Sequence, residues 1–442
     1  MSGGRTTRRR LSALAVSLSI AAGCSGAETG PTPDSEPERT TTTLARTSDG
    51  TLRLGLLVPR SGPGASLGEP LVEIARAAVD EINAAGGVNG SPIDLVIRDE
   101  GDDDATALAA VSAFIDVDGV DAVVGPLSSR VALSVLPTLI DAGVGVCSPA
   151  ATTASLADLP DNGLFVRTSP TDTLAALAMA QVAARTGESE IAVAYPDDPY
   201  GRDLAADVRR SLELEGLRAT TEVGYDPGDD DYTSEVATVV DSLPDVLVLL
   251  SGGEGGSRFL STLATSVAGV TVIVNDAFAS VDFSGDPSRD ALADIEIIGV
   301  AVDTFVGSSV EAPGSEEPVV VTTIGTTADP TGGSRATSPP LATATVDCIA
   351  LLAVAVESAA SDDPGVFMPL VIPASKGGSG CADFAGCRDL LESGLNVDYN
   401  GPSSVLALDP NGDPLLAVFV TFGIDDSGRA AYRDTIGVVS AP

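Results

Sequence analysis

The chain has 442 residues, 44% of them hydrophobic and 20% charged, with 63 acidic against 24 basic side chains and a formal charge of −39. That length exceeds one ordinary core and points to two compact units of roughly 150 to 200 residues, while the negative excess opposes binding to nucleic acid and loose contact with anionic lipid head groups. Histidine is absent, and the one lysine, Lys376, stands in a Gly/Ser loop. This removes Ser-His-Asp, Cys-His and His-based zinc chemistry and leaves Schiff-base or Ser-Lys mechanisms a poorly placed residue.

At the start, Arg5, Arg8, Arg9 and Arg10 precede an apolar run over 11–22 and the small residues Ala21-Ala22-Gly23 before Cys24. Residues 1–23 therefore read as a secretory signal. The segment also resembles a bacterial lipobox, in which Cys24 would be lipidated; an ordinary signal peptide with an incidental cysteine is the alternative. Residues 24–50, rich in Thr, Pro and Ser, read as a solvated tether. No second long apolar run follows, so the body is not expected to span a membrane. The expected location is extracytoplasmic, on the outer face of the cytoplasmic membrane.

From residue 52 short apolar runs alternate with amphipathic segments. The spacing predicts strands over 52–58, 93–98, 122–124 and 145–148, with helices over 70–85, 105–115 and 133–142 between and after them. After Arg167 the pattern restarts. Helices are expected over 174–185, 202–215, 234–243 and 257–265, and strands over 191–195, 219–225, 246–250 and 271–274. This is the pattern of two mostly parallel, doubly wound α/β sheets in series, whose ligands bind where strand-to-helix loops gather at the carboxyl ends of the strands. Residues 306–340 turn to Gly, Thr, Pro and Ser and give no placeable element. A helix over 343–358 follows, then strands over 405–408 and 415–422 joined by the turn Asp409-Pro410-Asn411-Gly412-Asp413.

One strand-to-helix joint stands out. In Val123-Val124-Gly125-Pro126-Leu127-Ser128-Ser129-Arg130 the apolar run breaks at Gly-Pro and sets two serines before a helical pattern. They could be nucleophiles, helix caps or a seat for an anion; without histidine the first use has no activating base. Of the cysteines after Cys24, Cys381 and Cys387 flank a loop short enough to close locally and are expected to pair. Cys147 and Cys348 could pair or stay buried as thiols. Four cysteines so spaced do not form a metal site, and no cofactor is expected.

Taken in order, several short motifs resemble the leucine/isoleucine/valine-binding protein family, the type I periplasmic binding proteins of ABC importers. They are Gly55-Leu56-Leu57-Val58-Pro59, Ile82-Asn83-Ala84-Ala85-Gly86-Gly87-Val88-Asn89-Gly90, Val124-Gly125-Pro126-Leu127-Ser128-Ser129 and Ser148-Pro149-Ala150-Ala151-Thr152. Phe165-Val166-Arg167-Thr168-Ser169-Pro170, Asp198-Pro199-Tyr200-Gly201 and Asp398-Tyr399-Asn400-Gly401-Pro402-Ser403 continue the series. The resemblance covers 52 to the C-terminus except 306–340. It implies two lobes, 51–170 with 304–410 and 171–303 with 411–442, joined by three crossings near 168–172, 302–304 and 408–414.

The resemblance further implies a clamp that closes on a small zwitterion and delivers it to a membrane permease, acting as a monomer and without catalysis. By position Ser129 matches the carboxylate-binding serine, and Ala150 and Thr152 match residues that bind through backbone and hydroxyl. Asp276 matches the acidic partner of the ligand ammonium, and Tyr200 a tyrosine that closes over the ligand. On residue type alone Ser129 could equally be a helix cap and Asp276 a turn former. Leu67 and Gly252-Gly253 replace aromatic residues of the family, which leaves a roomier or wetter pocket and puts branched-chain side chains in doubt. Two other readings remain: a sensor for an amino acid, amide or urea-like solute, and an extracellular hydrolase using Asp99-Glu100-Gly101-Asp102-Asp103-Asp104 or Gly228-Asp229-Asp230-Asp231 as paired carboxylates.

Overall fold

The computed structural model describes residues 48–62, 64–251, 254–292, 294–302, 341–403 and 406–439. The signal segment, Cys24, Gly252-Gly253 and 303–340 fall outside the described residues.

The first sheet is built from β1 (Arg53–Val58), β2 (Asp94–Asp99), β3 (Ala122–Val124), β4 (Gly145–Ser148) and β5 (Phe165–Arg167). All its pairings are parallel, in the order β2-β1-β3-β4-β5. Helix α1 (Ala65–Ala84) turns Leu71, Val72, Ala75, Ala78, Val79 and Ile82 inward, the three-to-four spacing that makes one face apolar. Helix α2 (Asp104–Ala113) is capped by Asp103, whose carboxylate accepts the Thr106 N–H at 2.9 Å. The helix expected over 105–115 stops at Ala113 and passes into a π-turn, Phe114–Asp118, that ends on Gly119 at φ 65°. Helix α3 (Ser129–Asp141) begins four residues earlier than the periodicity suggests.

The second sheet repeats the pattern with β6 (Ile191–Pro196), β7 (Ala219–Tyr225), β8 (Val246–Leu249), β9 (Thr271–Val274) and β10 (Glu296–Val302), between which run α4 (Asp172–Thr186), α5 (Pro199–Leu214), α6 (Thr233–Asp241), α7 (Glu254–Ala264) and the short α8 (Arg289–Leu292). Its order is β7-β6-β8-β9-β10, the same winding as the first sheet, extended by β13 (Leu416–Ile424) and β14 (Ala430–Val439). These last two are antiparallel, so the second sheet is mixed, parallel over its first five strands and antiparallel at one edge, within the mostly parallel pattern expected.

Between the two visits to the second sheet, α9 (Ala342–Ala359), α10 (Pro364–Ala374), β11 (Ser379–Cys381), α11 (Phe384–Glu392) and β12 (Val397–Tyr399) bring the chain back onto the first core. Helix α9 is long and apolar enough to cross a membrane by length and composition, unlike the sequence expectation of no further such run. Its apolar residues Cys348–Val356 are all within the first core, and a helix apolar on every side is what such a site selects. Residues 406–408 form no strand; Leu408 makes only an isolated bridge to Pro414. Two further cores cover the two faces of the second sheet.

Two disulfides close the first core. Cys381–Cys387 forms as expected, and Cys147–Cys348, left open by the sequence, is also a bond, tying the end of β4 to α9 across 201 positions. The late motif around Tyr399 works inside this core: the Tyr399 hydroxyl (2.8 Å) and the Ser403 N–H (3.0 Å) both donate to Asp347. Burial pushes Asp347 up to about 6 against those two hydrogen bonds.

Candidate functional site

The loops after β3 and β4 lie side by side at the carboxyl ends of their strands. Gly125 holds φ at +112°, and a side chain there would come within 2.2 Å of the Leu57 carbonyl, so only glycine permits the break in the apolar run. Glu100, 1% exposed at the end of β2, receives the next two N–H groups, Leu127 and Ser128, at 2.8 Å each. Burial raises its carboxyl to about 7 although both hydrogen bonds oppose the shift. Ser128 is the cap of α3, accepting the Val131 N–H at 3.4 Å. Ser129 is thereby free of capping. Its Oγ accepts the Thr152 N–H at 3.1 Å and the Thr153 N–H at 3.3 Å, so its own O–H remains to donate.

A second serine completes the seam. Ser148 Oγ donates to the Pro126 carbonyl at 2.7 Å and accepts the Ala151 N–H at 2.9 Å. The Ala150 N–H stands at 3.4 Å from the same oxygen. Behind both loops lies Arg167, fully buried, bonded to the Ala151 and Thr153 carbonyls at 3.0 and 2.8 Å. It also makes a two-pronged pair with Asp413 at 2.6 and 2.9 Å.

On the second sheet, Asn275 follows β9 and bonds Ser251 after β8 in both directions: it accepts the Ser251 N–H at 2.9 Å and donates to its carbonyl at 2.8 Å. The same amide group stands 3.4 Å from an Asp276 carboxylate oxygen. Asp276 itself is open to solvent. Protein still encloses it on enough sides that desolvation raises its carboxyl above the ordinary range, against bonds from the Ala277 and its own backbone N–H and from Asn275. Tyr200 is the second residue of α5, whose cap Asp198 accepts the Gly201 N–H at 2.7 Å. Desolvation and then Asp172, Asp276 and Asp198 push its phenol up, so it is a neutral donor at any physiological pH.

Asp172 joins the two halves. It is the first residue of α4, 8% exposed, and its N–H donates to the Thr152 carbonyl at 2.9 Å. Burial raises its carboxyl to about 7; the Thr152 hydroxyl and Arg167 pull it back, while Asp276 and Asp207 push it further. The structure thus brings Ser129, Ala150 and Thr152 into one seam, and links that seam through Asp172 to Asp276 and Tyr200. Asp172, Asn275 and Arg167 are the members that sequence reasoning passed over, and Glu100, offered there only among the carboxylates of a hydrolase, instead holds the loop after β3. Arg167 ends a strand motif and Asp172 opens a helix, but neither position signals burial, because arginine and aspartate are mostly exposed unless paired and the partner Asp413 lies 246 positions from Arg167.

Other candidates are placed elsewhere. Leu67 is half-buried and packs against the first core. The acidic runs cap helices and close turns: Asp99 takes the Arg60 and Gly101 N–H groups at 2.7 and 2.8 Å, and Asp231 takes that of Thr233 at 2.9 Å. Two recesses, one between α1, α9 and α11 and one beside α3 and Phe165, share no residue with the polar seam.

A family model described as periplasmic binding protein matches residues 51–281. The Leu/Ile/Val-binding protein BraC3 of Rhizobium johnstonii is 30% identical over 240 residues, which cover 52% of this chain and 63% of that protein. A leucine-, isoleucine-, valine-, threonine- and alanine-binding protein of Pseudomonas aeruginosa is 27% identical over 264 residues, covering 55% of this chain and 70% of its own. The chain thus spans somewhat under two thirds of the first of these relatives. Among solved structures, the branched-chain amino acid transporter substrate-binding protein LivJ of Streptococcus pneumoniae, in complex with isoleucine, superposes with a TM-score of 0.63 at 15% identity, over 88% of this chain and all (100%) of that one. A solute-binding protein of R. palustris in complex with 4-hydroxybenzoate gives 0.62 at 18% identity over 89% and 98%. At such identities the superpositions speak for the fold, while the family model spans more than half of the sequence. The chain belongs to the periplasmic binding protein family.

Proposed function

We propose that this chain is a lipid-anchored extracytoplasmic solute-binding protein that captures a small zwitterion, an amino acid or a close relative, and presents it to an ABC permease. The observation that carries the reading is the polarity of the seam. On one side the Ser129 hydroxyl, its lone pairs occupied by two backbone N–H groups, is left as a donor at the start of α3, where the helix dipole also favours an anion. On the other side stand Asp172 and Asp276, placed for a cation, with the neutral phenol of Tyr200 beside them. A carboxylate at Ser129 and an ammonium at the acids would satisfy both. The names of the relatives agree with that class of ligand.

In this reading the lobes are 51–170 with 304–410 and 171–303 with 411–442, Cys24 carries the lipid, and a monomer closes because the two sets of contacts exist together only in the closed arrangement. A thermal-shift screen of the purified chain against amino acids, short amides, urea and 4-hydroxybenzoate tests it, since a ligand that binds only the folded state raises apparent stability by mass action. Saturable stabilisation by a zwitterion, abolished by Asp276→Ala, is the expected result. No response to any zwitterion, or a response untouched by both Asp276→Ala and Ser129→Ala, would overturn the reading.

A further inference from the structure

We propose that Arg167 is a positioning residue that locks the ligand-facing loop 150–153 to the turn 409–413, so that the loop and the strand entering the second sheet move as one piece. Three bodies of chain meet at this side chain. Its Nε and Nη2 hold Asp413 at 2.6 and 2.9 Å, and its Nη1 reaches the Ala151 and Thr153 carbonyls at 3.0 and 2.8 Å. Its backbone N–H donates to the Gly412 carbonyl at 2.9 Å. Gly412, at φ +80°, lies so close to β5 that a side chain would fall 2.7 Å from the Phe165 carbonyl. The turn is stiff in itself: Asp409 accepts the Asn411 and Asp413 N–H groups at 2.8 and 3.0 Å, and its own N–H donates to the Asp413 carbonyl at 2.7 Å. Three residues after Asp413, β13 begins.

Net stabilisation alone is a poor account of such a pair, because removing two charges from water offsets much of their attraction. What the planar fork supplies is direction: four of its five N–H groups are fixed on three acceptor residues, two of them near in sequence and the third, Asp413, 246 positions from Arg167. The carbonyls it holds belong to the loop whose N–H groups, Thr152 and Thr153, rest on Ser129. A displacement of the turn therefore reaches Ser129 through three hydrogen-bonded steps, Asp413 to Arg167, Arg167 to Thr153 and Thr153 to Ser129.

Native-state hydrogen exchange tests this without any ligand. In the wild type, the amides of Thr153, Arg167 and Asp413 should open with one free energy and one denaturant slope, as a single cooperative unit. In Arg167→Lys, which keeps the charge and loses the fork, exchange at Thr152 and Thr153 should rise roughly tenfold or more while β3 and β8 amides stay within about twofold. Asp413→Asn should do the same from the other end. Separate opening slopes in the wild type, or acceleration spread evenly over both cores, would overturn the proposal, and the wild-type measurement decides even if a variant fails to fold. A second arm rests on the solute-binding reading and uses L-leucine as probe. There the affinity losses of Ser129→Ala and Arg167→Lys should be strongly sub-additive, and full additivity would contradict the coupling. Absence of leucine binding in the wild type would count against the ligand class and leave the exchange result standing.

Discussion

Replacing Ser129 by alanine removes one oxygen and strands two backbone donors. The Thr153 N–H lies in a residue only 5% exposed, so water replaces the lost acceptor poorly, and the cost there is about 1–3 kcal/mol. Thr152 is half-buried, its N–H can be partly rehydrated, and its loss should stay near 0.5 kcal/mol. Without ligand the variant should therefore be less stable by about 2 kcal/mol, a fall of a few degrees in Tm for a chain of this size. With ligand a further loss appears, because the hydroxyl would donate to a carboxylate; a hydrogen bond to a charged group contributes about 1.5–3 kcal/mol, or roughly 10- to 150-fold in Kd. Calorimetric titration below the melting onset of both proteins separates the two effects. An unchanged Kd beside a lowered Tm would reduce Ser129 to a loop staple and refute its role towards the ligand.

Four other outcomes follow from the geometry. Ligand affinity should fall as pH drops from 8 to 6, because a ligand ammonium favours the Asp172 carboxylate, which in the free protein takes up its proton near 7; Asp172→Asn should flatten that profile, with Asp276, Asp207, Tyr200 and Arg167 the other charged or titratable groups facing it. Glu100 acts in the opposite sense on folding: its carboxyl is raised from 4.5 to about 7, so its contribution is most favourable at low pH and is lost as pH rises through that window, and Glu100→Gln should remove this part of the Tm-versus-pH curve. Gly125→Ala, with a 2.2 Å contact to the Leu57 carbonyl and a φ of +112°, should cost about 3 kcal/mol or more, read as a lower denaturant midpoint. Removing Cys147–Cys348, which spans 201 positions, should cost about 5 kcal/mol on the chain-entropy model, against about 2 for Cys381–Cys387, which spans 6; equal losses would contradict that model here.

How far the sequence reaches is visible residue by residue. Strands such as β8, buried along its whole Val-Leu-Val-Leu length, and helices with clean three-to-four spacing such as α3 declare themselves. The three-residue β5 is too short for any periodicity, and α10 holds Pro369 and Pro373 within its span, which reads as loop. The alternation of β14 is blurred because four successive residues face solvent on an edge strand. At the site, Ser129 was legible as a hydroxyl at a helix start, but its partners were not: Thr152 and Thr153 are 23 and 24 positions away. The same holds for Glu100 under Ser128, 28 positions on, and for Arg167 with Asp413. Local pattern shows which residues can cap, turn or bury; the acceptor that a distant donor finds is decided only when two strand ends are brought together.

The central claim is a ligand held with its carboxylate at Ser129 and its ammonium at the acids of the second sheet. A crystal structure of the chain grown with whichever zwitterion stabilises it tests this directly. The predicted result is a carboxylate oxygen within hydrogen-bond distance of Ser129 Oγ and an ammonium within reach of Asp276. A ligand bound in reverse, or lodged outside the seam formed by 128–129, 150–152, Asp172, Tyr200 and Asp276, would contradict it.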